Sequence, residues 1–292
     1  MTKTIKLVGL LLLLSSTMVQ AQIKGKANYL IKYKADFAID STNRDQRTKE
    51  THYLYTGSAV SFYVNEAIIR IDSMIREMQD VPQGNTTMMR RKTKSMREES
   101  KKQGIPGFMP KVYKDFSNGQ VWVASRVSQD QFIYEEPNVP LKWEFENETK
   151  KIGDRESHKA TTHFGGRNWV AWFTSEVPIT DGPYVFSGLP GLVLELYDAQ
   201  NDYHFSVISI EKLKQGFPID SADDNYKKIS KTKFIKAYSN FRKVPLGQYE
   251  SMIRDLDIEL PDPTTGEKVS PAEFIQRVKK LISSRNNYIE LW

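Results

Sequence analysis

The sequence predicts an α+β protein, dominated by a curved antiparallel β-sheet or open half-barrel, with helices near the C-terminal end. Short segments that alternate apolar and polar residues recur every 10 to 15 residues or so up to about residue 210, with turn residues between them. Beyond that point, apolar residues at helical spacing become the main pattern. Strands that are joined by short turns pair with their chain neighbours, which favours a meandering antiparallel sheet.

The first strands are predicted at residues 27–37, 51–55 and 59–64, and the last two form a hairpin around Gly57 and Ser58. Their many aromatic residues suit strand surfaces. Asn65 follows directly and has a side chain that caps helices well. Residues 66–79 then place isoleucines at helical spacing, which predicts an amphipathic helix.

A basic insert at about residues 82–107 interrupts the strand pattern. Its centre, residues 88–102, contains seven lysines and arginines and two glutamates. A solvated helix or a mobile loop is the simplest interpretation. The alternative is a basic arm that docks on lipid A phosphates or on an acidic partner.

Strand patterns return from residue 111. A hairpin is predicted around Asn118 and Gly119, since Asn-Gly favours a tight turn. The predicted strands of this half are residues 112–116, 121–127, 131–135, 141–145, 158–164, 169–174, 192–197 and 203–210.

Three helices are predicted in the C-terminal third, at residues 232–239, 246–256 and 271–282. Pro271 after Ser270 marks the start of the last one, because proline is favoured in the first helical turn. We therefore divide the chain into a signal peptide (1–21), a β-rich domain (22–215) and a helical part (216–292) that packs on that domain or is appended to it.

The N-terminal residues predict export. Lys3 and Lys6 precede an apolar run at residues 7–14, which is too short to span a membrane, and a small-x-small site ends at Ala21. We expect cleavage near Ala21 and a soluble periplasmic or secreted protein that does not span a membrane. The absence of cysteine excludes disulfides, so packing must stabilise the fold.

Composition and motifs exclude several classes of function. A formal net charge of +6 on 292 residues is too small an excess to indicate a nucleic-acid partner. Dinucleotide, P-loop, HExxH and GxSxG motifs are all absent, so the sequence predicts no cofactor and no catalytic residue.

The densest group of turn residues lies between Pro178 and Gly191, directly before the apolar run 192–196. In Gly188-Leu189-Pro190-Gly191, the Pro-Gly pair fits the central positions of a type II turn, in which glycine supplies the positive φ. None of these four residues is ionisable. The segment therefore predicts a structural corner that leads the chain into a central strand, rather than a reactive loop.

Gly188-Leu189-Pro190-Gly191-Leu192-Val193 resembles the signature of the GLPGLI family of exported Bacteroidetes proteins, with valine for the final isoleucine. The resemblance covers about residues 140–210 and implies no established activity. Upstream residues also follow the family pattern: Lys159, Ala160, Phe164, Gly166, Arg167, Trp169, residues 171–174, Pro178, Ile179, Gly182 and Pro183. A cysteine that is often found before the Lys-Ala pair is missing here, which excludes a thiol role at that position.

Candidate binding residues are Arg167, Trp169 and Trp172. An aromatic concave sheet face would suit an apolar or peptide ligand, although these rings also suit core and rim packing. Trp169 and Trp172 cannot share one face of a regular strand, so we expect one in the core and the other near a rim. The Arg167 guanidinium could hold a carboxylate, and a structural clamp with Glu176 or Asp181 is favoured over ligand binding.

A metal site is not predicted. His158 and His163 lie five positions apart on one predicted strand and therefore point to opposite faces. The sequence thus favours a non-enzymatic binding or accessory module for an envelope protein, a peptide or a lipid. The alternative is a hydrolase, possibly metal-dependent, whose histidines and carboxylates meet only in the fold.

Overall fold

The computed structural model describes residues 23–103, 106–221, 226–247 and 249–291. The predicted signal peptide lies outside these residues. The strands in the described part are β1 (Lys24–Ala38), β2 (Arg47–Thr56), β3 (Val60–Asn65), β4 (Lys111–Asp115), β5 (Gln120–Val127), β6 (Asp130–Glu135), β7 (Glu144–Ile152), β8 (Arg155–Phe164), β9 (Arg167–Thr174), β10 (Leu192–Asp198), β11 (Tyr203–Asp220), β12 (Lys227–Lys228), β13 (Leu260–Pro261) and β14 (Lys268–Val269).

Twelve of these strands form one open sheet, in the order β12-β6-β5-β4-β3-β2-β1-β11-β10-β9-β8-β7. Strands β1 to β6 form one meander and β7 to β11 form a second. The long β1–β11 pair joins the two meanders at the centre of the sheet. Every neighbouring pair is antiparallel except the short parallel pair β12–β6. The predicted antiparallel sheet is confirmed.

In the described residues, five helices accompany the sheet: α1 (Glu66–Gln79), α2 (Thr86–Gln103), α3 (Lys231–Lys243), α4 (Tyr249–Arg254) and α5 (Pro271–Ser283). The α1 helix has the predicted bounds and the predicted cap, because the Asn65 side chain accepts a hydrogen bond from the Ala67 amide. At α5, Ser270 and Glu273 form a capping box in front of Pro271. No helix in the described ranges is both long and apolar enough to cross a bilayer.

The three helices predicted in the C-terminal part are present as α3, α4 and α5. Short strands accompany them, with β12 before α3 and with β13 and β14 between α4 and α5, and the helical share of the described fold is small. Strand β11 continues to Asp220, so the predicted boundary at residue 215 falls inside a strand. The basic insert forms α2, and its described side chains from residue 86 to 91 are exposed.

The inner face of the sheet contains the main hydrophobic core. One cluster unites residues from opposite parts of the sheet, including Val123 of β5, Tyr33 of β1 and Trp169 of β9. It also includes Phe186 and Leu189 from the connection between β9 and β10. Strands so far apart in the sheet share one core because the sheet curves around this connection, which we call the inner loop (residues 175–191).

A smaller cluster lies on the outer face. It contains Tyr113, Trp122, Ala124 and Ile133, which alternate along β4, β5 and β6 with the inward-facing residues. The sheet is therefore apolar on both faces in this region.

Candidate functional site

At its C-terminal end, the inner loop passes very close to the end of β9, and Gly191 permits this close approach. Gly191 has φ +152°, and a Cβ at this position would lie 2.0 Å from the Thr174 carbonyl oxygen. A positive φ in the Gly-Leu-Pro-Gly segment was predicted, but the type II turn was wrong. The Gly191 amide donates to the Leu189 carbonyl at 2.8 Å, which closes a three-residue turn around Pro190.

A buried ion pair holds the middle of the inner loop. Lys114 of β4 lies 2.6 Å from Asp181, and both side chains are at most 1% exposed. The Lys114 ammonium also donates to the Gly182 and Phe186 carbonyls, at 2.8 and 3.4 Å. Burial lowers the pKa of Lys114, and the charge of Asp181 opposes that shift. The loop is therefore anchored by charge as well as by apolar packing.

Arg167 is a buried clamp rather than an exposed anion receptor. Its Nη1 donates to Asp198 at 2.9 Å and to Asp202 at 3.0 Å. Its Nη2 donates to Asn287 at 2.6 Å and to the Tyr288 carbonyl at 2.7 Å. The predicted partner, Glu176 or Asp181, is wrong, since Asp181 pairs with Lys114 and Glu176 accepts the Glu156 amide.

The two tryptophans lie on opposite faces of β9. Trp169 is fully buried in the inner core, and its Nε1 donates to the Phe164 carbonyl at 3.0 Å. Trp172 lies on the outer face, where Lys150 sits 4.3 Å from the centre of its ring. The structure thus does not bring Arg167, Trp169 and Trp172 together at one open surface.

The C-terminal segment, residues 286–291, packs on the inner loop and on the start of β9. The Leu291 amide donates to the Gly165 carbonyl at 2.7 Å, and the Tyr203 hydroxyl donates to the Asn287 carbonyl at 2.6 Å. The Tyr184 hydroxyl of the inner loop donates to Glu290 at 2.5 Å. These contacts place the last residues inside the curve of the sheet.

Two buried carboxylates share one lysine at this point. Lys231, the first residue of α3, lies 2.6 Å from Glu136 and 2.5 Å from Glu290. Burial, and then the charge of Glu290, raises the pKa of Glu136. The lysine joins the end of β6 to the C-terminal segment, and all three groups have partners.

An aromatic cleft opens between the inner core, the C-terminal helices and the 106–110 loop. We call it the inner cleft, and its volume is about 290 Å³. Rings make up most of its wall, with aliphatic side chains from α5 and the C-terminal segment. Its principal wall residues are Phe37, Phe108, Tyr134, Tyr184, Tyr203, Phe234, Tyr238, Phe241, Ile282, Tyr288 and Ile289.

The 106–110 wall is held by Glu50 of β2. Its carboxylate accepts the Gly107 amide at 2.6 Å and the Phe108 amide at 3.3 Å. The same carboxylate accepts the Asn65 side-chain amide at 2.7 Å, while His52 lies at 3.2 Å. Because these bonds fix two consecutive amides, Phe108 is presented to the cleft in a defined position.

Arg285 supplies positive charge to the cleft wall. Its Nη1 donates to the Pro106 carbonyl at 2.9 Å, so the side chain links α5's end to the opposite wall. Burial lowers the pKa of Arg285, because its charge is partly removed from water. A guanidinium in this setting attracts an anionic group more strongly than it would at an open surface.

Among the described residues, His158 and His163 do not come together at one site. His158 packs beside Phe173, whereas His163 bonds to Asn168 at 2.9 Å on the opposite face of β8. Across the described ranges, no three or more histidine, aspartate or glutamate side chains are grouped so that they could hold a metal ion.

Comparison with family models gives a match over residues 165–195, to a family described as "Protein of unknown function (Porph_ging)". This segment, which we call the Porph_ging segment, is similar to that family. The resemblance to a GLPGLI-type family, predicted from Gly188-Leu189-Pro190-Gly191, is thereby confirmed. The Porph_ging segment contains β9, the inner loop and the start of β10, and therefore the Arg167 clamp, Asp181 and Gly191.

No curated protein matches the chain significantly. Two solved structures of PNGF-II, from two crystal forms, are similar to it with TM-scores of 0.49 and 0.48 and identities of 16% and 15%. They cover 74% and 75% of this chain. The chain spans about a third of the length of those solved chains, 34% in each case.

Sequence reasoning missed most of the cleft. Phe108 lay between the basic insert and the next predicted strand, and Arg285, Tyr288 and Glu290 lay beyond the last predicted helix. Their roles depend on contacts with residues more than 100 positions away, such as Glu290 with Tyr184. The only local hint was apolar and aromatic character next to charged residues at the C-terminal end.

Proposed function

We propose that this protein is a non-enzymatic binding module, and that its inner cleft receives an apolar side chain of a peptide together with a neighbouring carboxylate. The observation that carries the proposal is the open, ring-lined cleft with Arg285 in its wall. Ligand sites are typically concave and apolar, with a few polar groups that fix the orientation of the ligand.

The size of the cleft favours part of a peptide over a long lipid chain. Small-molecule sites usually enclose about 300 to 1,000 Å³, so a volume of about 290 Å³ lies at the lower limit. Such a space suits one or two side chains. Aromatic walls add stacking and edge contacts beyond the burial of area.

Charge favours a carboxylate in the ligand. Arg285 lines the cleft, and the neighbouring acidic groups Glu136 and Glu290 both pair with Lys231. An arginine can bind a carboxylate through two parallel hydrogen bonds. A peptide C-terminus with an aromatic last residue combines both features.

The test is fluorescence titration with 8-anilinonaphthalene-1-sulfonate, an aromatic anion, followed by competition. We expect saturable binding and displacement by a peptide that ends in phenylalanine, with weaker displacement by its C-terminal amide. Laurate serves as the lipid arm, and preferential displacement by laurate would refute the peptide assignment.

Two variants locate the binding site. Ile282→Trp fills the cleft from α5 and should abolish binding of the dye, whereas Arg91→Gln removes an exposed arginine from α2 and should leave it unchanged. Circular dichroism melting curves verify that both variants fold. Equal binding by Ile282→Trp and the parent protein would refute the inner cleft as the site.

We also propose that the protein acts in the cell envelope or outside the cell. This rests on the basic, apolar and small-residue pattern of residues 1–21. N-terminal sequencing of the exported protein should begin at Gln22. Recovery of the full-length chain from the cytoplasmic fraction would contradict the proposal.

A further inference from the structure

A second, larger cavity lies on the other face of the sheet. We call it the outer cavity, and its volume is about 620 Å³. Helix α1 forms one wall, the outer face of β4 to β6 forms the floor, and the β13–β14 hairpin region forms the opposite wall. Its apolar lining comes mainly from Ile68, Ile71, Met109, Ala124, Tyr226, Pro261 and Pro263.

Arg126 and Gln131 form a polar pair in the floor of this cavity. They are directly paired residues on the antiparallel strands β5 and β6, so their side chains are neighbours on one face. Ala124 and Ile133, two positions away on each strand, belong to the outer cluster, which places the pair on the outer face. Neither side chain bonds to any residue in the described part of the chain.

The other charges around the cavity are balanced. Lys111 pairs with Asp72 at 2.8 Å, and Asp262 pairs with Arg277 at 2.8 Å. Asp262 also accepts the Thr264 and Thr265 amides, at 2.7 and 2.6 Å, which uses its oxygens within its own turn. Lys268 and Glu259 lie 3.9 Å apart. The Arg126 guanidinium is therefore the charge that has no counterpart in the cavity.

We propose that the outer cavity is a second binding site, for a small phosphate monoester that carries an apolar group. Arg126 and Gln131 would donate hydrogen bonds to the phosphate oxygens. Guanidinium groups match phosphate oxyanions with two parallel bonds, and an amide nitrogen adds a further donor. The apolar residues of α1 and the β13–β14 region would enclose the organic group. This site is independent of the proposed function of the inner cleft.

The experiment is a calorimetric titration with phenyl phosphate. Saturable binding is expected, with weaker binding of inorganic phosphate, which lacks the ring, and of benzyl alcohol, which lacks the charge. Arg126→Gln should weaken phenyl phosphate binding at least about tenfold, which corresponds to about 1.4 kcal/mol. Arg91→Gln is the control, because it removes one exposed arginine that does not line the cavity.

Two further variants separate this site from the inner cleft, since Arg126 borders both spaces. Gln131→Leu alters the outer cavity alone and should weaken phenyl phosphate binding, whereas Ile282→Trp should leave it unchanged. The proposal is overturned if phenyl phosphate does not bind saturably at millimolar concentration, or if Arg126→Gln and Gln131→Leu, both folded by circular dichroism, bind it as the parent does.

Discussion

Replacing Lys114 by methionine tests how the inner loop is held. Methionine keeps most of the length of the side chain but removes the ammonium that pairs with Asp181 at 2.6 Å. Asp181 would then be a buried carboxylate without a cation, and one of its oxygens, Oδ2, already has no hydrogen-bond partner. Removing one partner of a buried ion pair typically costs about 3 to 5 kcal/mol.

The loss should lie at the upper end of that range. The Gly182 and Phe186 carbonyls would lose their donor as well, and both belong to the buried inner loop. Leaving a buried polar group unpaired costs about 1 to 3 kcal/mol. We therefore expect the free energy of unfolding of Lys114→Met to fall by about 4 to 5 kcal/mol.

Urea denaturation followed by circular dichroism measures this loss, and a double-mutant cycle assigns it. The double variant Lys114→Met with Asp181→Asn removes the orphaned charge and should recover part of the stability. Lys159→Met is the matched control, because Lys159 pairs with Glu146 and Glu148 at the surface. The reasoning is refuted if Lys114→Met loses no more stability than Lys159→Met.

Three other predictions follow from single positions. Gly191→Ala should lower the free energy of unfolding by more than Gly188→Ala, since Gly188, at φ +90°, has open space where a Cβ would lie; equal losses in urea titrations would contradict the close approach to Thr174. Arg167→Met should cost about 3 to 5 kcal/mol and speed proteolysis near the C-terminus, because the buried Asp198 loses its cation, whereas Asp202 keeps Arg44. An unchanged cleavage rate would count against it. The hydrogen bond to His204 lowers the pKa of Glu195 to about 2. This pair therefore adds about 1 to 2 kcal/mol to the free energy of unfolding, after solvent screening, above the ordinary glutamate pKa, and the gain is lost as pH falls towards 2. Glu195→Gln should reduce this loss of stability at acid pH in thermal melts, and an unchanged pH profile would refute the assignment.

Local patterns predicted the elements whose causes are local. Helix α1 begins after Asn65 as expected, because the cap and the isoleucine spacing lie within one stretch of sequence. The Gly57-Ser58 hairpin formed for the same reason, with β2 and β3 in direct register. The regular spacing of the short strands and turns predicted the curved antiparallel sheet.

Predictions failed where distant contacts compete with a local pattern. Residues 141–145 were predicted as a strand, yet β7 begins at Glu144, and the Trp143 side chain instead donates to the Ser187 carbonyl of the inner loop at 2.9 Å. The carboxylates that Arg167 binds, Asp198 and Asp202, lie at the β10–β11 turn. Their approach depends on the pairing of β9 with β10, which composition near Arg167 does not reveal.

The inner cleft is built partly by the Porph_ging segment and mostly by residues outside it, so the presence of that segment says little about a ligand. Residues 165–195 contribute Tyr184 to the wall and anchor the inner loop through Asp181 and Gly191. Arg167, in the same range, clamps the β10–β11 turn to the C-terminal segment. Phe108, Phe234 and Arg285 come from segments outside that range. The Porph_ging segment thus fixes the curved sheet around its own loop, while the surrounding helices and the 106–110 loop determine what the cleft can hold. We therefore expect proteins that share the segment to share this core and to differ in the residues that line the cleft.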